Sequence, residues 1–482
     1  MASASASPSP SPSGSRDRLS DLPDDVLGHI LSFLPTKPAA RAAALSRRWR
    51  HVFASVDSVS FEEQATARAD DWNTPYHDDA QLEMKSVSTT LFKDVWSALL
   101  CRRHCAGFHV PLRRLRVAFN SCPGWNTRHV DQWLSYVLRH CRKELHLDLC
   151  FRLGPTCAQR TQDEWRTLSD WSWYELPRGL YSCTAMRSLC LSYCGLNLPA
   201  AINLPFLETL RLTGVDHGDS GTGIQRLIAS CPCLVDLTLE ANNKIQKVSI
   251  LDKRLRRFTL WCCHGMKRVN IDASELMSLD YRGTVPPESL LSLHGTPEKI
   301  IPLCTVEICK LDYCMMAQHD TIKINTFFQE ISNTQRLHLH HERIPYRYDF
   351  TGFPLFPNLT QLALQGGIQS PDGLRGILEQ TPNLQVLWLL MEFPVDPYGK
   401  PEPPDEATFS VPCLQHRVRE INMIHYHGDE LQSMVARLLL RNALVLERLC
   451  VVFVKGSLQE QAGRKKEIER WVVAADAQQF FL

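Results

Sequence analysis

The sequence contains no run of apolar residues approaching the ~18 that would carry a helix across a bilayer. It also lacks an excess of either charge: 53 Lys and Arg stand against 52 Asp and Glu, a formal net charge of +1. A chain so balanced has no bulk attraction for nucleic acid or an acidic membrane, so neither is expected as a partner. No Gly-rich phosphate loop, nucleophile elbow or paired-carboxylate motif occurs, so no cofactor and no catalytic residue is expected. Residues 1–16 are a Ser/Ala/Pro tract without an apolar core, which does not fit a secretory signal and is expected to form a disordered tail.

The 18 cysteines are scattered over 482 residues. Without an export signal they are expected to be reduced thiols of a cytoplasmic or nuclear protein. Cys190, Cys231, Cys262 and Cys450 sit beside apolar repeat positions and are expected to act as small buried hydrophobes.

Punctuation is clearest in residues 17–56. Pro23 suits a first helical position, because its missing N–H would be unpaired there anyway. Asp24 and Asp25 place negative charge at the positive end of the helix dipole. Val26, Leu27, Ile30, Leu31 and Leu34 recur at helical spacing as one apolar stripe, and Pro35 and Pro38 end it. A second helix carries Leu45, Trp49, Val52 and Phe53. Helices this short are expected not to close a core by themselves, so Leu22, Ile30, Leu31 and Trp49 are expected to bury against something else.

The string Leu-Pro-Asp-Asp-Val-Leu-x-x-Ile-Leu-Ser-Phe-Leu-Pro, followed by Ala-Leu-Ser-Arg-Arg-Trp-Arg-His-Val-Phe, resembles the F-box of plant F-box/leucine-rich-repeat proteins. An acidic residue and Val are more usual in that family where this chain has Pro38, Ala39 and Ala40. The resemblance implies a module that binds a Skp-type adaptor and, through it, a cullin scaffold. By motif position it implies an adaptor-facing surface of Leu22, Pro23, Ile30, Leu31, Leu45 and Trp49.

From 57 to 404 the pattern Leu-x-x-Leu-x-Leu recurs, as in Leu207-Leu210-Leu212, Leu234-Leu237-Leu239, Leu359-Leu362-Leu364 and Leu384-Leu387-Leu389. Well-formed copies are spaced by roughly 21–29 residues, the leucine-rich-repeat range. Half-copies at Val248-Ile250 and Val269-Ile271 suggest strands on an opposite wall. Alternate residues of a strand point to opposite sides, so the leucines face inward and stack with neighbouring copies into one core. Convincing helical periods are mostly missing between Leu189 and Tyr281. The expected fold is therefore α/β: a small helical F-box followed by an irregular leucine-rich-repeat solenoid with a parallel sheet on one wall. On this register Arg211, Glu240, Trp261, Asp280, Arg282, His338, Gln361 and Trp388 face outward and are the candidate target-binding residues. Trp and Arg stand out among them because they dominate interface energetics.

Residues 405–482 change character. Val418, Ile421 and Met423 predict a strand, and Leu431, Met434, Val435, Leu438 and Leu439 predict an amphipathic helix. Leu446, Leu449 and Val451 return to the strand pattern, and Ile468, Trp471 and Val472 lie in a tail that could cap the solenoid. Leu438 to Val452 resembles the FBD region that ends many plant F-box repeat proteins. Two His/Cys groups invite a metal reading: His338, His340 and His341, and Cys101, His104 and Cys105. Neither has a complementary ligand set at the usual spacing, so exposed strand histidines and helix-end packing are expected instead. The whole resembles a non-catalytic substrate receptor of an SCF-type ubiquitin ligase. A small-molecule-gated receptor and a protein-binding scaffold outside any ligase are the alternatives.

Overall fold

A computed structural model describes residues 21–34, 36–44, 46–63, 90–100, 102, 112–119, 127–141, 143–151, 173–215, 221–252, 254–295, 299–308, 318–340, 352–365, 371–391 and 410–482. The chain forms two compact units: Met1–Ala118 with Ser135–Leu145, and Phe119–Leu134 with His146–Leu482.

In the first unit, α1 (Asp24–Ser32), α2 (Thr36–Ala44) and α3 (Arg47–Ser55) precede β1 (Ser58–Glu62). Asp24 and Asp25 occupy the first turn of α1, where the helix dipole favours them. The Ser46 hydroxyl caps α3 by accepting the Trp49 backbone N–H at 3.2 Å. Contrary to expectation, these helices do close a core of their own. It consists of Leu27, Leu31, Ala39, Val52, Phe53 and Val56, with Leu22 and Trp49 packed against it. The module is small, but its apolar residues come from all three helices and meet in one cluster. The Thr36 hydroxyl accepts the Ser60 backbone N–H at 2.6 Å and ties α2 to β1. Parallel pairing of β1 with β2 (Arg114–Ala118) aligns buried Val59 with Leu115 and Phe61 with Val117. The helix at 90–100 buries Leu91, Phe92, Val95 and Leu99.

The second unit is a repeat array. Its main sheet runs through β3 (Leu145–Cys150), β4 (Met186–Ser192), β5 (Thr209–Thr213), β6 (Asp236–Glu240), β8 (Arg257–Trp261), β10 (Ser278–Gly283) and β12 (Ile301–Ile308). It continues through β13 (Thr334–His340), β14 (Gln361–Gln365), β15 (Val386–Leu390), β16 (Glu420–Tyr426), β17 (Arg448–Phe453) and β18 (Gln478–Phe481). From β4 onward the pairing is parallel, and two inward rows run across it. One is Leu189, Leu210, Leu237, Phe258, Leu279, Cys304, Leu337, Leu362, Leu387, Ile421 and Leu449. The other starts at Leu191 and Leu212 and ends at Met423 and Val451. Both rows are buried throughout these strands.

β7 (Lys247–Ile250), β9 (Arg268–Asp272) and β11 (Leu291–His294) form a second parallel sheet. The half-copies at Val248-Ile250 and Val269-Ile271 are thus strands of another wall, paired Val248 to Val269 and Ile250 to Ile271. Between β6 and β10 each coil takes about 21 residues, at the compact end of the repeat range.

Elsewhere a helix replaces the second strand: Thr222–Ala229, Gln318–Glu330, Pro371–Glu379 and Glu430–Asn442. The first of these lies between Leu189 and Tyr281, where convincing helical periods are mostly missing from the sequence. It is only two turns long, too short for a periodicity to stand out, yet it buries Ile224, Leu227 and Ile228. At the end of the chain the helix Leu458–Trp471 buries Ile468, and β18 then forms the last strand of the sheet.

A repeated turn ends several strands. Tyr193, Gly214, Ala241 and Cys262 each follow a strand and adopt left-handed backbone, with φ of 56°, 53°, 54° and 52°. Only one is glycine, so three carry the ~1–2 kcal/mol cost of that conformation for an L-residue. Each donates its N–H to the next strand, as Tyr193 does to the Thr213 carbonyl at 2.9 Å and Ala241 to that of Trp261 at 2.8 Å. The hydrogen bond that extends the ladder offsets the strain.

The cysteines divide by register. Cys231 and Cys262 are buried as expected, but Cys190 and Cys450 are half-buried on the outer face, in register with Arg211 and Asn422. Each lies between two inward aliphatic residues, so strand alternation turns it outward. Burial pushes the thiols of Cys304 and Cys413 up to about 12 and about 11, which keeps them protonated and unreactive.

If the inward rows carry the fold, Leu362→Ala should destabilise the second unit by about 2–5 kcal/mol. Gln361→Ala, one residue away on the outer face, should change stability by less than about 0.5 kcal/mol. Denaturant midpoints compare the two; equal shifts would refute the register.

Candidate functional site

Two surfaces stand out. On the first unit, α1 divides its single apolar stripe in two. Leu27 and Leu31 point into the helical core, whereas Val26, Ile30, Phe33 and Leu34 are 40%, 37%, 74% and 43% exposed. The α1 stripe is wider than the small core can consume, and the surplus faces outward. His29 packs edge-on against Phe33 at 4.8 Å. Arg48 holds the start of α1, pairing with Asp24 at 2.8 Å and donating to the Leu22 carbonyl.

The expected adaptor-facing residues are therefore divided. Pro23 and Ile30 are exposed, Leu22 and Trp49 are half-buried against the core, and Leu31 is inside it at 2% exposure. Leu45 lies outside the described residues. Val26, Phe33 and Leu34 share the exposed face and were not among the expected set. Their signal was present in the sequence: the stripe continues through Phe33 and Leu34 to the helix-ending Pro35.

On the second unit, the outer face of the main sheet carries three outward rows. Gln361 lies in the first, aligned with Arg336 and Val386. Arg211, Asp280, His338 and Trp388 lie in the second, which also contains Thr238, Thr259, Thr305 and Ala363. Glu240, Trp261 and Arg282 lie in the third, followed by Glu307 and His340. All eight expected residues occupy outward register positions. Their exposure differs: Arg211, Gln361 and Trp388 are exposed, Trp261, Asp280, Arg282 and His338 are half-buried, and Glu240 is buried.

The difference arises because neighbouring strands put complementary groups side by side. Glu240 accepts the Thr213 hydroxyl at 3.1 Å and lies 3.8 Å from the Arg211 guanidinium. Trp261 donates its indole N–H to Asp280 at 3.0 Å, and Arg211 sits 6.0 Å from the Trp261 ring centre. Arg282 pairs with Glu307 at 3.3 Å, and His340 approaches the same carboxylate at 4.0 Å. Glu307 was not foreseen, because its strand matches the repeat pattern only weakly. His338 and His340 stack at 4.6 Å between ring centres. They are half-buried members of this network rather than freely exposed histidines, since each is flanked by polar side chains of adjacent strands.

Burial raises the Asp280 carboxyl above the ordinary carboxylate range, opposed by the Trp261 N–H. Burial also lowers the His338 imidazole, reinforced by the neighbouring His340 and opposed by its hydrogen bond with Gln365. Among the described residues no group of three or more His, Cys, Asp and Glu is placed to hold a metal ion. His341, Cys101, His104 and Cys105 lie outside them. No helix among the described residues is long and apolar enough to cross a membrane. Chemically the outer face from β5 to β13 is a set of preformed hydrogen bonds and ion pairs.

Comparison with known proteins places family matches over part of each unit. The F-box domain matches residues 19–61, and the family described as FBD-associated F-box protein At5g56370, LRR repeats, matches 161–293. The chain is 27% identical over 392 residues to the F-box/LRR-repeat protein At4g14103 of Arabidopsis thaliana, covering 78% of this chain and 91% of that protein. It is 25% identical over 457 residues to the F-box/FBD/LRR-repeat protein At1g13780 of the same plant, covering 91% of each. The FBD-associated F-box protein At5g22730 is 23% identical over 453 residues, covering 90% of this chain and 87% of that protein. The likeness to plant F-box/leucine-rich-repeat proteins of the FBD kind is thus borne out. The structure agrees, with a helical module over the first match and parallel repeats over the described part of the second.

The lowered His338 imidazole gives a sign for pH dependence. The folded chain resists protonation that the unfolded chain accepts below its ordinary value of ~6.5. The contribution of His338 is therefore intact above ~6.5 and is lost as pH falls through the lower folded value. Between about pH 7.5 and about pH 5 the melting temperature of wild type should fall further than that of His338→Gln. A constant difference between the two would refute this reading.

Proposed function

We propose that the chain is the substrate-recognition subunit of a cullin-based, SCF-type ubiquitin ligase, located in the cytoplasm or nucleus. F-box domains in general bind Skp-type adaptors, and F-box/leucine-rich-repeat proteins are in general non-catalytic receptors. The observation that carries the reading here is the apolar face of α1, with Val26, Ile30, Phe33 and Leu34 exposed beside a core that is already closed. A small domain does not need such a face for its own stability. Grouped apolar exposure of this kind marks a contact surface.

In this reading Pro23, Ile30 and the exposed part of Leu22 and Trp49 meet the adaptor directly. Leu31 supports that surface from the core, and Leu45 belongs to it by motif position. The adaptor bridges to a cullin scaffold, and the outer face of the repeat sheet, where Trp388 is exposed, holds the target protein. The contribution to ubiquitin transfer is positional. A bound target lysine is kept at high effective concentration near the ubiquitin thioester, with no nucleophile or base supplied by this chain.

Co-purification of the full chain with a Skp-type adaptor tests the proposal. Ile30→Glu places a charge in the centre of the exposed face without touching the core, and should weaken adaptor binding by at least about tenfold. Failure of the wild-type chain to bind the adaptor, or undiminished binding by Ile30→Glu, would overturn it.

A further inference from the structure

The outer face of the repeat sheet is not chemically uniform. From β5 to β13 most of its charged groups are matched on the sheet itself: Arg257 with Asp236, Arg211 with Glu240, Trp261 with Asp280, and Arg282 and His340 with Glu307. Beyond β13 the character changes. The outward positions of β14 are Gln361, Ala363 and Gln365, and those of β15 are Val386, Trp388 and Leu390. Ile424 and Val452 continue the row of Leu390 across β16 and β17. The charged pair on these strands, Arg448 and Glu420, lies in the first row and is bonded at 3.3 Å.

β15 reads Val-Leu-Trp-Leu-Leu, apolar on both faces. A strand of that kind is ordinarily covered on both sides. Its inner side is covered, with Leu387 and Leu389 at 0% and 1% exposure, while Trp388 on the outer side is 37% exposed. In register, Trp388 has Ala363 on one side and Asn422, itself 3% exposed, on the other. Ala363 stands between His338 and Trp388, so the row steps down from imidazole to methyl and up again to indole. That register predicts a notch over Ala363, floored by a methyl group and flanked by two rings.

Resting on the receptor reading above, we propose that this C-terminal sector of the sheet is the contact for the target, and that it takes an uncharged segment bearing aliphatic or aromatic side chains. Trp388 is the anchor, Ala363 the notch, and Leu390, Ile424 and Val452 the apolar floor beside it. The argument is one of charge complementarity. The outward residues of the sector offer no unmatched charge, and the neighbouring carboxylates already have partners. A charged segment laid there would lose water without gaining an opposing charge. A segment with uncharged side chains desolvates no charge there and removes Trp388 from water.

The test uses the full-length chain, immobilised with or without adaptor, as bait for a phage-displayed library of random peptides. Enriched peptides should be poor in Asp, Glu, Lys and Arg and rich in aliphatic and aromatic residues. Their binding should change by less than about threefold between low and high salt. Trp388→Ser should weaken them by at least about tenfold and Trp388→Phe by less than about threefold, while Arg257→Ala, outside the sector, leaves them unchanged. Trp388 points away from the inner rows, and melting curves of the variants check that the fold is kept. Enrichment of acidic or basic peptides, dependence on Arg257 instead of Trp388, or no enrichment at all would overturn the proposal. So would a dimer of the chain that Trp388→Ser dissolves, which would give the sector to a second copy. Adaptor co-purification should be untouched by Trp388→Ser. Its failure in wild type would remove the receptor reading while leaving the peptide result standing.

Discussion

Two inward rows of side chains leave water only when neighbouring coils stack in register, and everything else in the second unit follows from that constraint. A single coil offers a short strand with two apolar residues, too little to offset the entropy of ordering the coil. Stacked, Leu210 lies against Leu237 and Leu237 against Phe258, and each row becomes continuous. The same requirement explains why the rest of the coil can vary. A strand of the second sheet, a two-turn helix or a longer helix all serve, provided that they close the other side of the rows. It also explains why left-handed backbone recurs at Tyr193, Ala241 and Cys262. The turn must deliver its N–H to the next strand at a fixed place, and the side chain there is secondary.

Once the inner rows fix the register, the outer rows are fixed with them. Outward residues from different coils are brought together with no choice of partner, so the sequence must supply compatible neighbours at spacings set by repeat length. Glu240 beside Arg211, Asp280 beside Trp261 and Glu307 beside Arg282 are such pairs. Exposed ion pairs contribute little to stability, roughly 0–1 kcal/mol each. Their larger effect is to hold side chains in one arrangement, so that a partner meets a surface already ordered. Buried Glu240 is the clearest case. Its carboxylate would be costly if unmatched, and the Thr213 hydroxyl and Arg211 guanidinium answer it from the neighbouring strand.

Much of this was legible from residues alone, for a physical reason. Leu-x-x-Leu-x-Leu fixes which residues face inward, and strand alternation then assigns the rest. That is why Arg211, Trp261 and Trp388 fall on the outer face as read, and why Val248 and Ile250 fall on a second wall. The misplacements have causes of equal clarity. Cys190 and Cys450 were read as buried from apolar neighbours, but in a strand apolar neighbours imply the opposite face. The Thr222–Ala229 helix was passed over because two turns hold too few residues to show a period. Which outward residues touch one another depends on the lengths of intervening coils, and no local pattern carries that. The Glu307 pairing with Arg282 and His340 therefore emerges only from the register.

The F-box helix and β15 share a logic that bears on function. In each, apolar residues outnumber the positions that the element's own packing uses. α1 needs Leu27 and Leu31 for its core, and Val26, Ile30, Phe33 and Leu34 are surplus. β15 needs Leu387 and Leu389, and Val386, Trp388 and Leu390 are surplus. Single exposed hydrophobes are ordinary on any protein surface, and Phe206 or Met277 need no special account. On α1 the surplus is grouped and exposed, and on β15 exposed Trp388 is flanked by half-buried Val386 and Leu390. One group sits on a short helical module and the other on a long ordered sheet. A short module with a compact face suits a fixed partner of one shape, whereas a sheet whose outward rows change from charged to apolar offers different chemistry along its length. That is the asymmetry the proposed receptor role calls for, with one constant adaptor and a target to be told from other proteins.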